Sequence, residues 1–295
     1  MKKYILYTAA IMAITVSSCR KIETDGEIQV VVVNGGGGGG GSTTGQTITL
    51  QGRINADTVL RKANSYILKG IVYMVGNHTM TIEAGTVIKG SFSGSDVAAL
   101  VITRGSKIIA PGTATDPIIF TSLSPNPQSG DWGGIVLCGK AGYNLSYNGT
   151  AGLYQVEGGI DNANGDGLAG SGDAVAPTPV ANDNSGVLQY VRIEYAGYAF
   201  QPDKEINSLT MAAVGSGTII DHIQVTYAKD DAFEWFGGSV NCSYLIAYKT
   251  QDDDFDTDNG YNGKVQFGLI IRDSLIADIS KSEAFESDNN SGGGT

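Results

Sequence analysis

The amino-acid sequence predicts an all-β fold: a right-handed parallel β-helix, built as a single-stranded solenoid. Two copies of one segment align almost residue for residue, at 190–196 (YVRIEYA) and 222–228 (HIQVTYA). Alternation in each copy places apolar side chains on one face of a strand and polar side chains on the other. No amphipathic helical pattern lies between such strands, so the next copy, stacked in parallel, must cover the apolar face.

An acidic corner follows the apolar strands and repeats with them. Residues 230–233 (DDAF) and 253–255 (DDF) begin 23 positions apart, counted from Asp230 to Asp253. In a solenoid of that period the second corner lies above the first, about 4.8 Å away. Ile223 and Ile246 are then expected to stack in the same sheet. Glycine supplies 42 of the 295 residues, about twice the usual share, which favours tight turns between strands.

The chain begins with the features of an export signal. Residues 1–18 combine Lys2 and Lys3 with an apolar run that is short for a membrane span, and small residues precede Cys19. This arrangement resembles the lipobox of bacterial lipoproteins, which implies that Cys19 is acylated and becomes the mature N-terminus. An ordinary secretory signal with an incidental cysteine is the alternative. Acylation anchors a protein to a membrane without a spanning segment.

Residues 19–46 are expected to form the acylated cysteine and a flexible tether, because the glycine run at 35–41 has nothing to bury. The β-helix domain is expected to span residues 47–295. Cys138 and Cys242 lie in apolar strand segments and are interpreted as packing residues. The formal net charge of −11 argues against a nucleic-acid partner, since phosphate groups are repelled by an acidic surface.

A long insertion at residues 139–186 interrupts the repeat. It is rich in Gly, Asn and Asp and contains Tyr143, Tyr147 and Tyr154. Long loops inside compact domains are usually functional or disordered, and insertions in solenoids often form the binding face. We therefore take the three tyrosines as candidate ligand-binding residues that could stack against sugar rings. Ordinary loop tyrosines without a ligand are the alternative.

A run of carboxylates in one late corner predicts a metal site, with calcium as the candidate cofactor. Its members are Asp252, Asp253, Asp254, Asp256 and Asp258. Like charges at that density need solvent or a cation, and calcium prefers clustered carboxylate oxygens. The alternative is a solvated turn whose aspartates cap their own backbone. The segment 162–173, which includes Asp166 and Asp173, is a second candidate for calcium.

Four stretches carry a resemblance that covers most of the chain. They are EGG at 157–159, DNSGVLQYVRIEYAG, IDHIQVTYAKDDAFEWFGG and DDDFDTDNGYNGKVQFG. With these stretches, residues 47–290 resemble the β-helix domain of surface lipoproteins from Bacteroidota. The resemblance implies a β-helix and a lipid-anchored, surface-exposed location at the outer membrane. It brings no set of catalytic residues.

Three classes of function remain open. The first is a non-catalytic surface module that binds glycans or a protein partner, with Asp230, Asp231 and Glu234 as further candidate ligand-binding residues. The second is a calcium-dependent polysaccharide lyase or a glycoside hydrolase. The third is a purely structural or adhesion protein of the cell surface. For the enzyme, the candidate bases are Lys229, Lys249 and Arg272, and the candidate carboxylates are Asp230, Asp231, Glu234 and Asp254.

Geometry separates these classes. A lyase needs a basic side chain and at least two carboxylates that converge on one open groove. A binding module would instead show exposed aromatic rings along a concave face, and a structural protein would show neither. The stretch 285–290 resembles one more corner before a glycine-rich end. Because solenoids need a polar terminal cap, we expect either a C-terminally truncated fragment of a longer protein or an exposed last coil.

Overall fold

A computed structural model shows a parallel β-helix, as the sequence predicts. The structure describes residues 31–33, 45–160, 163–201, 204–278 and 282–290. The predicted export signal, Cys19 and most of the tether lie outside the described residues, as does Asn162 of the second calcium candidate. In the part of the chain that is described, no helix has the length and apolar character needed to cross a bilayer.

The described strands are short and are separated by turns. In chain order they are β1 (Val31–Val33), β2 (Thr47–Ile54), β3 (Thr58–Leu60), β4 (Ser65–Met74), β5 (Thr79–Ile82), β6 (Val87–Gly90), β7 (Ala99–Ile102), β8 (Lys107–Pro111), β9 (Ile118–Ser122), β10 (Ile135–Cys138), β11 (Ser146–Tyr147), β12 (Thr150–Ala151), β13 (Leu153–Gln155), β14 (Leu168–Gly170), β15 (Gly186–Glu194), β16 (Ala199–Gln201), β17 (Lys204–Glu205), β18 (Leu209–Ala212), β19 (Ile219–Thr226), β20 (Phe233–Phe236), β21 (Asn241–Tyr248), β22 (Phe255–Asp258), β23 (Lys264–Ile271) and β24 (Phe285–Asp288). A single turn of 3₁₀ helix covers Gly94–Asp96.

Most strands stack in parallel on three faces of the solenoid. The first face contains the N-terminal parts of β2 and β4, then β6, β9 and the C-terminal halves of β15, β19, β21 and β23. The second face contains the ends of β2 and β4, then β7, β10, β18, β20, β22 and β24. The third face contains β3, β5, β8 and the N-terminal halves of the same four long strands.

The register confirms the alignment of the two repeated segments. Val191 pairs with Ile223 and Ile193 pairs with Val225, and all four side chains are buried inside the solenoid. Ile246 departs from its expected place. It lies on the first face as predicted, but it pairs with Gln224, while Leu245 pairs with Ile223. Ile246 therefore points outward, because neighbouring positions along a strand alternate between faces.

The acidic corners repeat with a slightly shorter offset than predicted. Phe233 pairs with Phe255, which sets the offset between these coils at 22 residues, from 233 to 255. Asp231 therefore lies over Asp253, and the Asp253 amide donates a hydrogen bond of 3.0 Å to Asp231 Oδ1. The buried phenylalanines fix the register because they fill the interior, whereas the aspartates occupy a corner that tolerates a shift.

One continuous apolar core fills the interior of the solenoid. The early coils, which precede the insertion and contain β2 to β10, contribute mainly aliphatic side chains, such as Leu68 and Leu100. The coils from β15 to β24 are called the late coils. The late coils contribute a ring cluster in which Phe233 lies 5.5 Å from Phe255 and 6.1 Å from Trp235, between ring centroids. Cys138 and Cys242 are buried free thiols, and burial raises the pKa of each to about 12. At that pKa neither thiol is reactive at neutral pH.

The predicted insertion packs as a second core against the outer side of the second face. Its Val156 and Ile160 join Val101 and Val136 of the sheet in one buried cluster. Two arginines of the early coils hold the acids of the insertion: Arg53 pairs with Asp166 at 2.7 Å, and Arg104 pairs with Asp173 at 2.6 Å. The Arg104 hydrogen bond lowers the pKa of the Asp173 carboxyl.

The last described coil, which includes β23 and β24, is largely exposed to solvent. Most of β23 and all of β24 are exposed, and Phe285 remains 65% exposed although it pairs with Phe255. Exposure of the last coil is one of the two predicted alternatives, and within the described residues no further strand covers this coil.

Candidate functional site

Four aromatic side chains form a ladder where the third face turns into the first. Ring centroids lie 4.3 Å apart between Tyr190 and His222, 4.4 Å between His222 and Tyr244, and 4.8 Å between Tyr244 and Phe267. Their planes differ by 20 to 24°. The last two rings of the ladder along the chain are open to solvent: Tyr244 is 46% exposed and Phe267 is 57% exposed. We call this set the ring ladder.

A groove of about 420 Å³ runs beside the ring ladder. Its floor is the outward row of the first face, in which Arg192, Gln224, Ile246 and Leu269 are register partners. Thr113, Ala114 and Pro117, from the loop after β8, also line it. Apolar surface with a few polar groups is typical of ligand sites. We call this feature the aromatic groove.

The backbone under the ring ladder is held in an unusual conformation. Its four residues, from Tyr190 to Phe267, have φ between 49° and 64°. For residues with a Cβ this left-handed conformation costs about 1–2 kcal/mol each. Such positions persist where their surroundings favour them, and they cluster at functional sites. The turn also swings each ring out of the strand and onto the wall of the groove.

A second polar feature lies on the outer side of the second face. One outward row runs in register through Val101, Val136, Thr210, Glu234, Asp256 and Glu286. The row is apolar where the insertion covers it and acidic in the late coils. We call its acidic part the acidic row.

Three buried carboxylates meet at the acidic row. Asp231, Glu234 and Asp256 each place one oxygen within 4.8 Å of the other two. Burial, followed by neighbouring carboxylates, raises the pKa of Asp231 and of Glu234 well above the ordinary range. Burial also raises the pKa of Asp256, although its hydrogen bond with Glu234 opposes that shift. We call these three residues the acidic triad.

The five aspartates of the predicted calcium site do not gather at one point. Asp256 joins the acidic triad, and Asp252 lies with Asp230 and Asp231 in a second group. Asp254 pairs with Arg272 at 2.8 Å, and Asp253 Oδ1 accepts a hydrogen bond from the Glu283 amide. Asp258 lies one outward position further along β22, where burial and nearby acids raise its pKa to about 7.

The remaining predicted positions are occupied by contacts within the protein. In the 162–173 segment, Asp166 and Asp173 bind the two arginines described above, so their carboxylates are already neutralised. Tyr154 stacks between Tyr143 and Phe236, with both centroid distances at 4.8 Å. Tyr143 and Tyr154 therefore anchor the insertion against β20 through ring contacts. Tyr147 is half-buried in β11.

Two of the candidate catalytic bases are paired with carboxylates, and the third is exposed. Lys249 binds Asp273 at 3.0 Å, which raises the pKa of the lysine, and Arg272 binds the fully buried Asp254. Lys229 is exposed and lies against Gly130. Lys249 and Arg272 are therefore held in ion pairs, whereas a lyase needs a basic side chain available beside two carboxylates.

The ring ladder is the feature that sequence reasoning missed. Tyr190 and His222 stand at the same place in the two aligned copies, and Tyr244 stands at that place in the next strand. Aromatic side chains at one repeat position are the signal that could have revealed it. Strand alternation alone hides it, because the left-handed turn at each rung breaks the alternation.

Comparison with known proteins supports the fold and gives the family. No curated protein and no solved structure shows a significant match. A family profile described as a pectate-lyase like beta helix domain matches residues 52–295, which is most of the chain. The profile begins within β2 and includes the ring ladder and the acidic row. The chain therefore belongs to the family of proteins with a pectate-lyase-like β-helix domain.

Proposed function

We propose that this protein is a lipid-anchored β-helix of the cell surface that binds glycans in the aromatic groove without cleaving them. The observation that carries the proposal is the ring ladder, an unbroken column of four rings on a strained backbone beside an open groove. Membership in a pectate-lyase-like family supports a ligand of the polysaccharide class.

The groove has the dimensions and chemistry for a short oligosaccharide. Successive rungs of a parallel sheet are about 4.8 Å apart, so four rungs span about 14 Å. The apolar C–H faces and edges of sugars can pack on the ring edges, on Ile246 and on Leu269. Arg192, Gln224 and His222 supply hydrogen-bonding groups for sugar hydroxyls. This combination of apolar surface and a few polar groups fixes the orientation of a ligand.

The lining of the groove favours binding over hydrolysis. Glycoside hydrolysis uses two carboxylates that flank the bond to be broken. None of the described residues that line the groove is a carboxylate. Asp221 accepts a hydrogen bond from His222 Nδ1 at 3.0 Å but is not part of the lining.

Anchoring through Cys19 completes the proposal. An acylated cysteine followed by a glycine-rich tether would hold the β-helix clear of the membrane and leave the aromatic groove accessible from outside. The resemblance to surface lipoproteins of Bacteroidota supports this location. Mass spectrometry of the N-terminal peptide from membranes tests it: an acylated Cys19 is expected, and an unmodified one would contradict the anchor.

A glycan array tests binding with the full-length protein, with and without a calcium chelator. We expect binding to one class of oligosaccharide in at least one condition, and bound glycans recovered intact when analysed by mass spectrometry. No binding in either condition would overturn the proposal. Recovery of shortened or unsaturated products would establish a hydrolase or a lyase instead.

Two variants locate the site. Tyr244→Ala and Phe267→Ala each remove one ring of the ladder, and each is expected to weaken binding by about tenfold or more. Phe92→Ala is the matched control, since it removes an exposed ring of the early coils, 39% exposed and outside the groove lining. Equal losses in all three variants would place the binding site elsewhere.

A further inference from the structure

The acidic triad carries an inference that is independent of the aromatic groove. Asp231, Glu234 and Asp256 are only 8, 6 and 7% exposed, so each residue is more than nine-tenths buried. Three carboxylates cannot all be ionised at such short range without a neutralising charge. The protein must therefore supply a cationic side chain, a bound cation or protons at this place.

The described side chains do not supply that charge. Among the ion pairs of the described residues, no lysine or arginine pairs with the triad, and the nearby Arg272 binds Asp254 instead. Within the triad, Asp256 and Glu234 share a hydrogen bond. Two contacts from outside the triad come from neutral donors. Asn207 Nδ2 donates to Glu234 Oε2, and the Asp253 amide donates to Asp231 Oδ1 at 3.0 Å.

An oxygen without a partner points to a missing ligand. Asp256 Oδ1 is buried and accepts no hydrogen bond, although Asp256 lies within the triad. A buried polar atom left without a partner costs about 1–3 kcal/mol, and more when it is charged. Meanwhile the two hydrogen bonds to Glu234 and Asp231 hold those carboxylates in place, as outer partners orient the ligands of metal sites.

We propose that Asp231, Glu234 and Asp256 bind a calcium ion. Calcium binds oxygen at about 2.3–2.6 Å, so two oxygens on one ion lie at most about 5.2 Å apart. The 4.8 Å spread of the triad falls within that limit without movement of the backbone. Ligands that are all oxygen suit a hard cation.

The position of the ion gives it a structural role. Asp231 and Glu234 belong to one coil, and Asp256 belongs to the next, since β20 and β22 are register neighbours. The ion would join two successive rungs of the second face beside the insertion, where Tyr154 packs on Phe236. Calcium would thereby stabilise the late coils, whose stability depends on contacts between neighbouring coils.

Isothermal titration tests the site with the full-length protein after treatment with chelator and desalting. Calcium chloride is expected to give saturable binding at one site, with a dissociation constant no weaker than the millimolar range of extracellular calcium modules. Binding should also raise the melting temperature, because the ion binds the folded state. Magnesium should bind at least about tenfold more weakly, given its demand for shorter contacts. No heat and no shift in melting temperature with calcium would overturn the proposal.

Three variants locate the ion. Glu234→Gln and Asp256→Asn should each weaken calcium binding by at least about tenfold and remove most of the thermal shift. Asp96→Asn is the control, because it removes one exposed carboxylate of the early coils that pairs with Lys69. It should leave calcium binding unchanged. Equal loss in the control would mean that calcium binds through net charge alone, which would contradict a built site.

Protons shared among the carboxylates could neutralise the acidic triad instead of calcium. The same variants distinguish protonation from calcium binding. If protons alone neutralise the triad, the parent protein is insensitive to calcium, and Glu234→Gln melts at the same or a higher temperature than the parent. That pair of results would overturn the proposal. If calcium binds, the order of melting temperatures reverses in saturating calcium, and the parent becomes the more stable protein.

Discussion

The early and late coils of this solenoid share an interior but differ on their outer surface. At the turn from the first to the second face, the early coils place glycines, Gly52 and Gly70, in the left-handed conformation. In the late coils, Tyr195, Tyr227 and Lys249 adopt the same conformation at that turn. Glycine adopts it without strain, whereas a residue with a Cβ does not.

The difference indicates that the late coils carry the candidate binding surfaces and that the early coils support them. The outward row of the second face changes in the same direction, from valines under the insertion to the acidic row. The late coils thus accept backbone strain and buried charge in two places. Because both features destabilise the fold on their own, they support the two ligands proposed above, a glycan at the ring ladder and a cation at the acidic triad.

The largest expected change in the free energy of unfolding comes from removing an aromatic ring inside the solenoid. Phe255→Ala removes a buried ring from the late core, where its neighbours are Phe233, Trp235 and Phe285. It should lower the free energy of unfolding by about 3–5 kcal/mol, through lost burial and a cavity. Denaturant unfolding measures the change. A loss below about 1 kcal/mol would show that the late coils do not depend on this inner cluster.

The next effect tests the glycine corners of the early coils. Gly70 has φ of 62°, and the atom nearest to an added Cβ is a backbone oxygen 3.8 Å away, so strain can be measured without a clash. Gly70→Ala should destabilise the protein by about 1–2 kcal/mol. Denaturant unfolding is again the measurement. An unchanged free energy of unfolding would mean that a residue with a Cβ fits this corner without strain. It would contradict the proposed difference between the early and late corners.

The smallest expected change in stability belongs to the ring ladder. Tyr244→Gly relieves about 1–2 kcal/mol of strain at its left-handed position. It also removes stacking on His222 and on Phe267, worth about 0.5–1.5 kcal/mol for each pair. The two effects nearly cancel, so the free energy of unfolding should change by less than about 1 kcal/mol. A loss as large as that expected for Phe255→Ala would assign the ladder a structural role.

A pH series sharpens the comparison at the insertion, which contacts early coils through arginines and late coils through rings. The pKa of Asp173 is lowered in the folded state by Arg104, so this pair stabilises the fold above the ordinary carboxyl pKa of 3.8. That contribution is lost as the pH falls through the lowered folded-state pKa. Proteolysis with an acid-active protease should then cut the insertion first, with fragments identified by mass spectrometry.

The matched variants for this series are Arg104→Met and Arg61→Met. Arg104→Met should be cut within the insertion already at neutral pH, because the buried guanidinium that holds Asp173 is gone. Arg61→Met removes only the exposed pair with Glu83 and should resist as the parent does. Equal resistance in both variants would show that the ring contacts and the Arg53–Asp166 pair hold the insertion without Arg104.

The sequence predicts the fold well because the interior repeats with an alternation of period two. Val191 and Ile223 can be aligned from the letters alone, whereas the aspartates of the corners suggest an offset one residue longer than the pairing of Phe233 with Phe255. The sequence predicts the ring ladder and the acidic triad less well, because each combines residues from different coils. The aspartates from 252 to 258 are neighbours in the chain but diverge in space, and Asp256 finds its partners, Asp231 and Glu234, one coil earlier.

The ring ladder was hidden for a related reason. Its residues follow the repeat, but their direction depends on a left-handed turn that the residue type does not favour. Alternation would leave Tyr190 as one more strand residue. Only the backbone shows that it turns outward and that His222, Tyr244 and Phe267 continue the same column.

The most direct test of the central claim is a crystal structure with a bound oligosaccharide chosen from the glycan array. The account predicts density for sugar rings in the aromatic groove, in contact with Tyr244, Leu269 and Arg192. Oligosaccharide bound at the acidic row or at the insertion, with the aromatic groove empty, would contradict it.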